Sequence, residues 1–282
     1  MKMSKSQKRT SPDTLTPPDL GVLRGIRNQG GTCAINTVLQ VCFQIPHITS
    51  ILESSKHPQL VDLRSLHDRY KRGTGPLTIG NLSSITPPGL NPKTADAGEI
   101  LAGFCTLLRQ EGIIHHLAPE ASLAMSARTA ASDRAFLQPT SEVHDSHTLV
   151  FQFGRSDPMG TKIKRHTTYP VTLDSETYHL TCGRSLAHPL ALRAVIVHQG
   201  HKVDKGHYVI FIKLTNSSGW ALCDDDKIQW VSEMEALAQE AFILVYTQPV
   251  NPEGRKIGPT EVRTMQSMST ATTHEPDASA GS

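Results

Sequence analysis

The spacing of hydrophobic residues changes character midway along the chain, and that change constrains the fold more than any other feature. Up to about residue 112 the apolar residues recur at intervals of three and four, as on one buried helix face. From about residue 148 they come in short dense runs rich in β-branched and aromatic residues, as in strands. Helices first and strands later predict an α+β fold with segregated layers, because an alternating α/β sheet would interleave the two.

Ile35, Val38, Leu39, Cys42 and Phe43 form the first helical stripe, with Pro46 expected to close it. Leu60, Leu63, Leu66 and Tyr70 predict a second helix, stopped by a turn at Gly73 and Gly75. Ile100, Leu101, Phe104, Leu107 and Leu108 predict a third, ended by Gly112, with Asp96 and Glu99 at capping-box spacing before it. Strands are expected at 148–153, 169–173, 191–198, 207–214, 220–223 and 241–246. The NSSG stretch before Trp220 predicts a hairpin joining the run from His207 to the run from Trp220. Residues 113–147 carry no clean period. Residues 1–20 and 249–282 are polar and poor in large hydrophobes, and are expected to be disordered tails around one folded unit at 21–248.

Composition narrows the function. Lys plus Arg number 28 against 26 Asp plus Glu, a net of +2. Proteins that grip a phosphate backbone show a concentrated basic excess instead, so no nucleic-acid partner is expected. The basic cluster of Lys2, Lys5, Lys8 and Arg9 reads as a solvated tail. No apolar run is long enough to span a bilayer, and the first 20 residues lack the apolar stretch of a secretory signal. No membrane association is expected, and a monomer is. The cysteines are 5 in number and scattered, with no CxxC pair, which disfavours a disulfide framework and a Cys-rich zinc site. HExxH and Gly-rich phosphate motifs are absent from the sequence. No cofactor or metal is expected, and a reducing compartment, cytoplasm or nucleus, suits these thiols.

Cys33 follows the loop Asn28-Gln29-Gly30-Gly31-Thr32 and stands where the first helix begins. N–H groups at a helix start carry partial positive charge that stabilises a thiolate. On this local evidence alone, a buried structural cysteine at a helix start is the better reading of the position. A thiolate nucleophile also needs a base, and the base an orienting group. His207 follows a glycine at a strand start, and Asp224 opens the acidic run of Asp224, Asp225 and Asp226 on the far side of the predicted hairpin. A strand-end histidine and a solvated acidic turn account for these singly, but not for the three together.

The segment from Gly25 to Gln40 (GIRNQGGTCAINTVLQ) closely resembles the Cys box of ubiquitin-specific proteases. Ala194–Gly200, Gly206-His207-Tyr208-Val209, Gly219-Trp220, Asp224-Asp225 and Ala241–Tyr246 together resemble the family's His box. Asp96-Ala-Gly-Glu99-Ile-Leu101 is similar to the acidic helix start between the boxes. Phe151, Phe153, Tyr169-Pro170 and Leu173-Asp174 also stand where the family has strands. The resemblance covers residues 21–248 and implies a papain-like cysteine protease with a helical thumb and an antiparallel sheet palm. It implies Cys33 as nucleophile, His207 as base and then acid, Asp224 as its orienter, Asn28 as oxyanion donor and Asp225 as a supporting acid. Asp96, Glu99, Gly206 and Tyr208 would line the groove for the modifier's tail. Helix capping explains Asp96 and Glu99 as well, and an ordinary strand aromatic explains Tyr208. The partner implied is ubiquitin or a ubiquitin-like modifier and its conjugates, cut after the terminal glycine.

The chain also departs from the family. Ala34 stands where a larger aromatic is usual, and Ile35 and Thr37 where Met and Ser are usual. Residues 113–147 hold no paired cysteines, so zinc-binding fingers are expected to be reduced or absent. Two other readings compete: a ubiquitin-binding pseudoenzyme, and a cysteine protease or transglutaminase-like acyl transferase unrelated to ubiquitin.

Overall fold

In the computed structural model the described residues are 23–110, 117–118, 148–155, 159, 161–164, 166–173, 188–202, 205–214 and 219–249. The expectations for the tails, apart from Pro249, and for nearly all of 113–147 fall outside them. So do Gly112, expected to end the third stripe, and Cys182.

The helical layer comprises α1 (Cys33–Gln44), α2 (Pro46–Ser54), α3 (Pro58–Arg72), α4 (Leu82–Ile85) and α5 (Ala97–Gln110). Pro46 does not simply end a helix, as expected; it starts the next one. Ile45 takes an extended conformation (φ −90°, ψ 111°), as residues before proline do, and Pro46 occupies the first turn of α2. The two axes bend by 85° at that junction. Among the described residues no single helix is long and apolar enough to cross a membrane.

The strands are β1 (Leu117–Ala118), β2 (Thr148–Gln152), β3 (Thr172–Leu173), β4 (Leu190–Gln199), β5 (His207–Lys213), β6 (Trp220–Asp224), β7 (Lys227–Val231) and β8 (Ala241–Thr247). They form one sheet in the order β1-β2-β8-β4-β5-β6-β7, with β3 pairing β4 off this path. All pairings are antiparallel except β1 with β2. The predicted hairpin is β5–β6, with Lys213 opposite Trp220.

Both faces of the sheet are buried, which explains why its central strands read as continuous apolar runs. Tyr208, Ile210 and Ile212 of β5 face the helices, in one core with Ile35, Val38, Leu39, Phe104 and Leu108. Val209 and Phe211 face the other way, into a second core with Phe151, Trp220, Leu244 and Tyr246. That second core is closed by α6 (Glu233–Leu237) and by the segment around Tyr169. The Tyr169 hydroxyl donates to the Ala236 carbonyl at 3.1 Å, and the Tyr246 hydroxyl to the Pro170 carbonyl at 2.7 Å. Pro170, which has no N–H to give a ladder, sits in the part of the expected 169–173 strand that does not pair. Only Thr172–Leu173 remains as β3.

Two features of this layout set the site. Helix α1 lies across β5, so its first residue, Cys33, sits over the sheet's helical face. The start of β5 and the end of β6 lie side by side, which brings His207 to Asp224.

Candidate active site

The loop before α1 is shaped by its glycines and fastened by one amide. Gly30 and Gly31 both take positive φ, 82° and 79°, a conformation that residues with a Cβ adopt at a cost. The turn they make lets the Gly30 and Thr32 N–H groups converge on Asn28 Oδ1, at 2.9 and 3.2 Å. The Gln29 N–H donates to Thr32 Oγ1 at 2.9 Å, which holds the buried Thr32 at the helix entrance. Cys33 is half-buried as the first residue of α1, with its side chain against the main core.

Across from this loop, the His207 ring donates from Nε2 to Asp224 Oδ1 at 2.6 Å, over a separation of 17 residues. The bond fixes the tautomer and leaves the other ring nitrogen for proton traffic. Asp225 and Asp226 form the two-residue turn between β6 and β7, and Asp225 takes a positive φ of 51°. The acidic run is thus a β-turn, as one reading expected, and part of the site as well.

Asp225 joins the two halves. Its Oδ2 accepts from Asn28 Nδ2 at 2.8 Å and lies 3.9 Å from His207 Nε2. Its Oδ1 accepts from Asn36 Nδ2 at 2.7 Å, and its carbonyl accepts from the Ile26 N–H at 2.7 Å. The Asp225 side chain is 12% exposed against 42% for Asp224, so it is the enclosed member of the pair. Residues on either side of Cys33 in sequence, Asn28 and Asn36, therefore bind the residue next to Asp224. The loop and helix that flank Cys33 are thus bonded to the turn that follows Asp224.

The other expected residues border the same place. Asp96 and Glu99 make the reciprocal capping box: the Asp96 N–H donates to Glu99 Oε2 at 2.9 Å and the Glu99 N–H to Asp96 Oδ1 at 2.8 Å. Burial raises the Asp96 carboxyl above its ordinary value, opposed by the N–H groups it accepts. Tyr208 is 8% exposed and packs in the helical core with Ala97, at the start of α5. Burial raises its hydroxyl's pKa, with Asp96, Cys33 and Glu99 adding to the effect. Gly206 leaves room for its neighbours. A Cβ there would stand 2.1 Å from the Gln199 carbonyl oxygen and 2.2 Å from His198 Nε2. Cys42 and Cys223 are buried, and burial pushes both thiols up, so neither offers a thiolate.

Ligand atoms of His207, Asp224 and Asp225 lie within 4.8 Å of one another, as in many metal sites. Their hydrogen bonds argue for another use. Asp224 accepts the ring N–H, and Asp225 spends one oxygen on each asparagine amide.

Reading the sequence missed two residues. Asn36 is 3% exposed inside α1, and the cue was an asparagine between the apolar Ile35 and Val38 of the first helical stripe. His198, opposite Tyr208 in the β4–β5 register, stacks on it with centroids 4.5 Å apart. Burial pushes its imidazole down to about 4, with Lys162 and His207 adding to the effect.

Comparison with known proteins agrees with this picture. Residues 147–246 match the family model described as ubiquitin carboxyl-terminal hydrolase, a stretch that holds His207, Asp224 and Asp225 but not Cys33. "Ubiquitin carboxyl-terminal hydrolase 17-like protein C" of Mus musculus is 33% identical over 105 residues, 34% of this chain and 19% of that protein. "Ubiquitin carboxyl-terminal hydrolase 14" of Saccharomyces cerevisiae is 38% identical over 68 residues, 23% of this chain and 9% of that protein. The matches thus span a fifth or less of these relatives' lengths. In shape the chain is similar to the SAGA DUB module containing Ubp8 bound to monoubiquitin, with a TM-score of 0.56 at 16% identity. That match covers 83% of this chain and 71% of the other. The fold is the α+β arrangement of that protein, with N-terminal helices and an antiparallel sheet.

Proposed function

We propose, from the match of residues 147–246 to the ubiquitin carboxyl-terminal hydrolase family model, that the chain is a thiol protease of that family. It hydrolyses the bond after the C-terminal glycine of ubiquitin or a ubiquitin-like modifier, releasing the modifier from its conjugates. One observation carries this reading: Asp225 ties the loop and helix around Cys33 to the hairpin on which Asp224 holds His207.

In this mechanism the Cys33 thiol passes its proton to His207 and attacks the glycine carbonyl. A C–S bond forms and the carbonyl π pair moves onto oxygen. The resulting oxyanion is met by the Cys33 backbone N–H and by the Asn28 amide. Asn28 Nδ2 donates one hydrogen to Asp225, which leaves the second for the substrate. Such a donor contributes about 3 kcal/mol in analogous acyl transfers. Collapse of the intermediate expels the lysine amine, which takes the proton from His207. Water, deprotonated by the same imidazole, then frees the modifier's carboxylate and restores the thiol. Asp224 accepts the ring N–H throughout and stabilises the imidazolium. Asp96 and Glu99, beside Tyr208, supply negative charge where basic residues of the modifier's tail would pass. A thiol nucleophile is kept active in a reducing compartment, cytoplasm or nucleus.

The test is ubiquitin bearing a C-terminal electrophile. Cys33 is expected to form a covalent adduct, read as a mass shift, and Cys33→Ala to abolish it. Adduct that persists in the variant would discard Cys33 as nucleophile. Noncovalent binding with no adduct on the wild-type chain would favour the binding-only pseudoenzyme.

A further inference from the structure

Asn36 is polar and buried in the first turn of α1, a place where asparagine costs both helix propensity and desolvation. Its Nδ2 group spends both hydrogens, one on Asp225 Oδ1 at 2.7 Å and one on the Ile26 carbonyl at 3.1 Å. Its Oδ1 is buried with no partner among the described residues. A half-satisfied amide of this kind has one tolerable orientation. Flipping it would aim the oxygen at a carboxylate and a carbonyl, both acceptors. The side chain therefore acts as a directional donor that a residue of equal volume cannot imitate.

We propose that Asn36 is a positioning residue that locks α1, and Cys33 one turn before it, to the hairpin turn beside Asp224. Residues three apart share a helix face, so fixing Asn36 against Asp225 fixes the direction from which Cys33 meets His207. The same carboxylate receives the Asn28 amide on its other oxygen. One side chain thus registers nucleophile, base and oxyanion donor through a single acceptor. Ile26, whose carbonyl takes the second hydrogen, also donates its own N–H to the Asp225 carbonyl, so the lock includes the segment leading into the Cys33 loop. The kinetic part of this inference rests on the protease reading above; the geometric part does not.

The test compares wild type, Asn36→Ala, Asn36→Asp, Asp225→Ala and the Asn36→Ala/Asp225→Ala double variant, each in the full chain. The first readout is kcat and KM on ubiquitin carrying a C-terminal fluorogenic amide. The second is the rate at which iodoacetamide alkylates Cys33, read by peptide mass, which needs no ubiquitin and follows the thiolate population. Loss of a hydrogen bond to a charged partner should lower kcat roughly tenfold to a hundredfold in Asn36→Ala, with KM within about twofold. Asn36→Asp, of equal volume but with an acceptor facing Asp225, should fall below Asn36→Ala. The double variant should match Asp225→Ala within about twofold, because both changes remove one link. Alkylation rates should follow the same order.

Independent, multiplicative losses in the double variant would overturn the inference. So would an Asn36→Asp protein near wild-type rate, since that would make the role one of volume. Alkylation of the buried Cys42 marks any variant that has unfolded, and Asn36→Asp and Asn36→Ala serve as each other's replacement. A wild-type chain that leaves the ubiquitin amide intact would sink the protease reading alone. The alkylation cycle would still decide the role of Asn36.

Discussion

The candidate nucleophile and its base come from residues 33 and 207, and what makes them a site is the hydrogen bonding around each. His207 has one nitrogen committed to Asp224 at 2.6 Å, so removing the ring leaves no second base in that position. His207→Ala is expected to lower kcat by several orders of magnitude with the melting temperature little changed, because members of such a unit act together. Turnover near wild type in that protein would take the imidazole out of the mechanism. Asn28 makes a subtler case. Its Oδ1 gathers two loop N–H groups while its Nδ2 meets Asp225, so it both shapes the loop and aims a donor. Asn28→Ala should lower kcat about 100-fold to 1000-fold. A KM within a few-fold of wild type would separate loss of an oxyanion donor from collapse of the loop, which would raise KM as well.

Between elements, the close approach that matters most is backbone against backbone. Gly25 lies so near the β6–β7 turn that a Cβ on it would stand 2.2 Å from the Asp226 carbonyl oxygen. Gly25→Ala must push the segment before α1 away from Asp225 and stretch the Ile26-to-Asp225 hydrogen bond. It should destabilise the fold by about 1–3 kcal/mol and lower activity with it. Gly75→Ala, with nothing within 4 Å of the added methyl, is the matched control and should melt like wild type. The sequence was most legible where one physical rule acted alone. The α1, α3 and α5 stripes, the strands of the sheet centre and the capping box at Asp96 and Glu99 are all visible as periodicity or spacing. Helix α2 was hidden because a proline both stops one helix and starts another. Strand β7 was hidden because an edge strand with alternating exposed and half-buried residues carries little apolar pattern. Cys33, His207, Asp224, Asn28 and Asp225 were legible through the resemblance of their boxes to a known family. Asn36 was quoted within that resemblance without a role, because its importance lies in a contact across 189 residues that spacing cannot reveal.

At the scale of the whole molecule, the packed layers bury groups that prefer to stay neutral, and this ties stability to pH. His67 is 5% exposed, stacks on Phe43 with centroids 4.9 Å apart, and has a buried Nδ1 without a partner among the described residues. Burial lowers its imidazole below the ordinary 6.5, and Lys71 adds to that against Asp68 and Glu53. His198, on β4, is pushed down to about 4, chiefly by burial. In both cases the unfolded chain binds a proton at a higher pH than the folded one does. Their contribution to stability is therefore fully present above the ordinary 6.5 and is lost as pH falls from there, for His198 toward about 4. Asp96, raised by burial, works in the opposite sense, with its contribution present below the ordinary 3.8 and lost as pH rises through its folded value. Melting temperature should thus decline as pH is lowered below 6.5, before most carboxylates titrate. His67→Phe keeps an aromatic ring against Phe43 and removes the proton site, so its melting temperature should decline less steeply over the same interval. Equal slopes for variant and wild type would show that the proton taken up on acid unfolding belongs elsewhere in the chain.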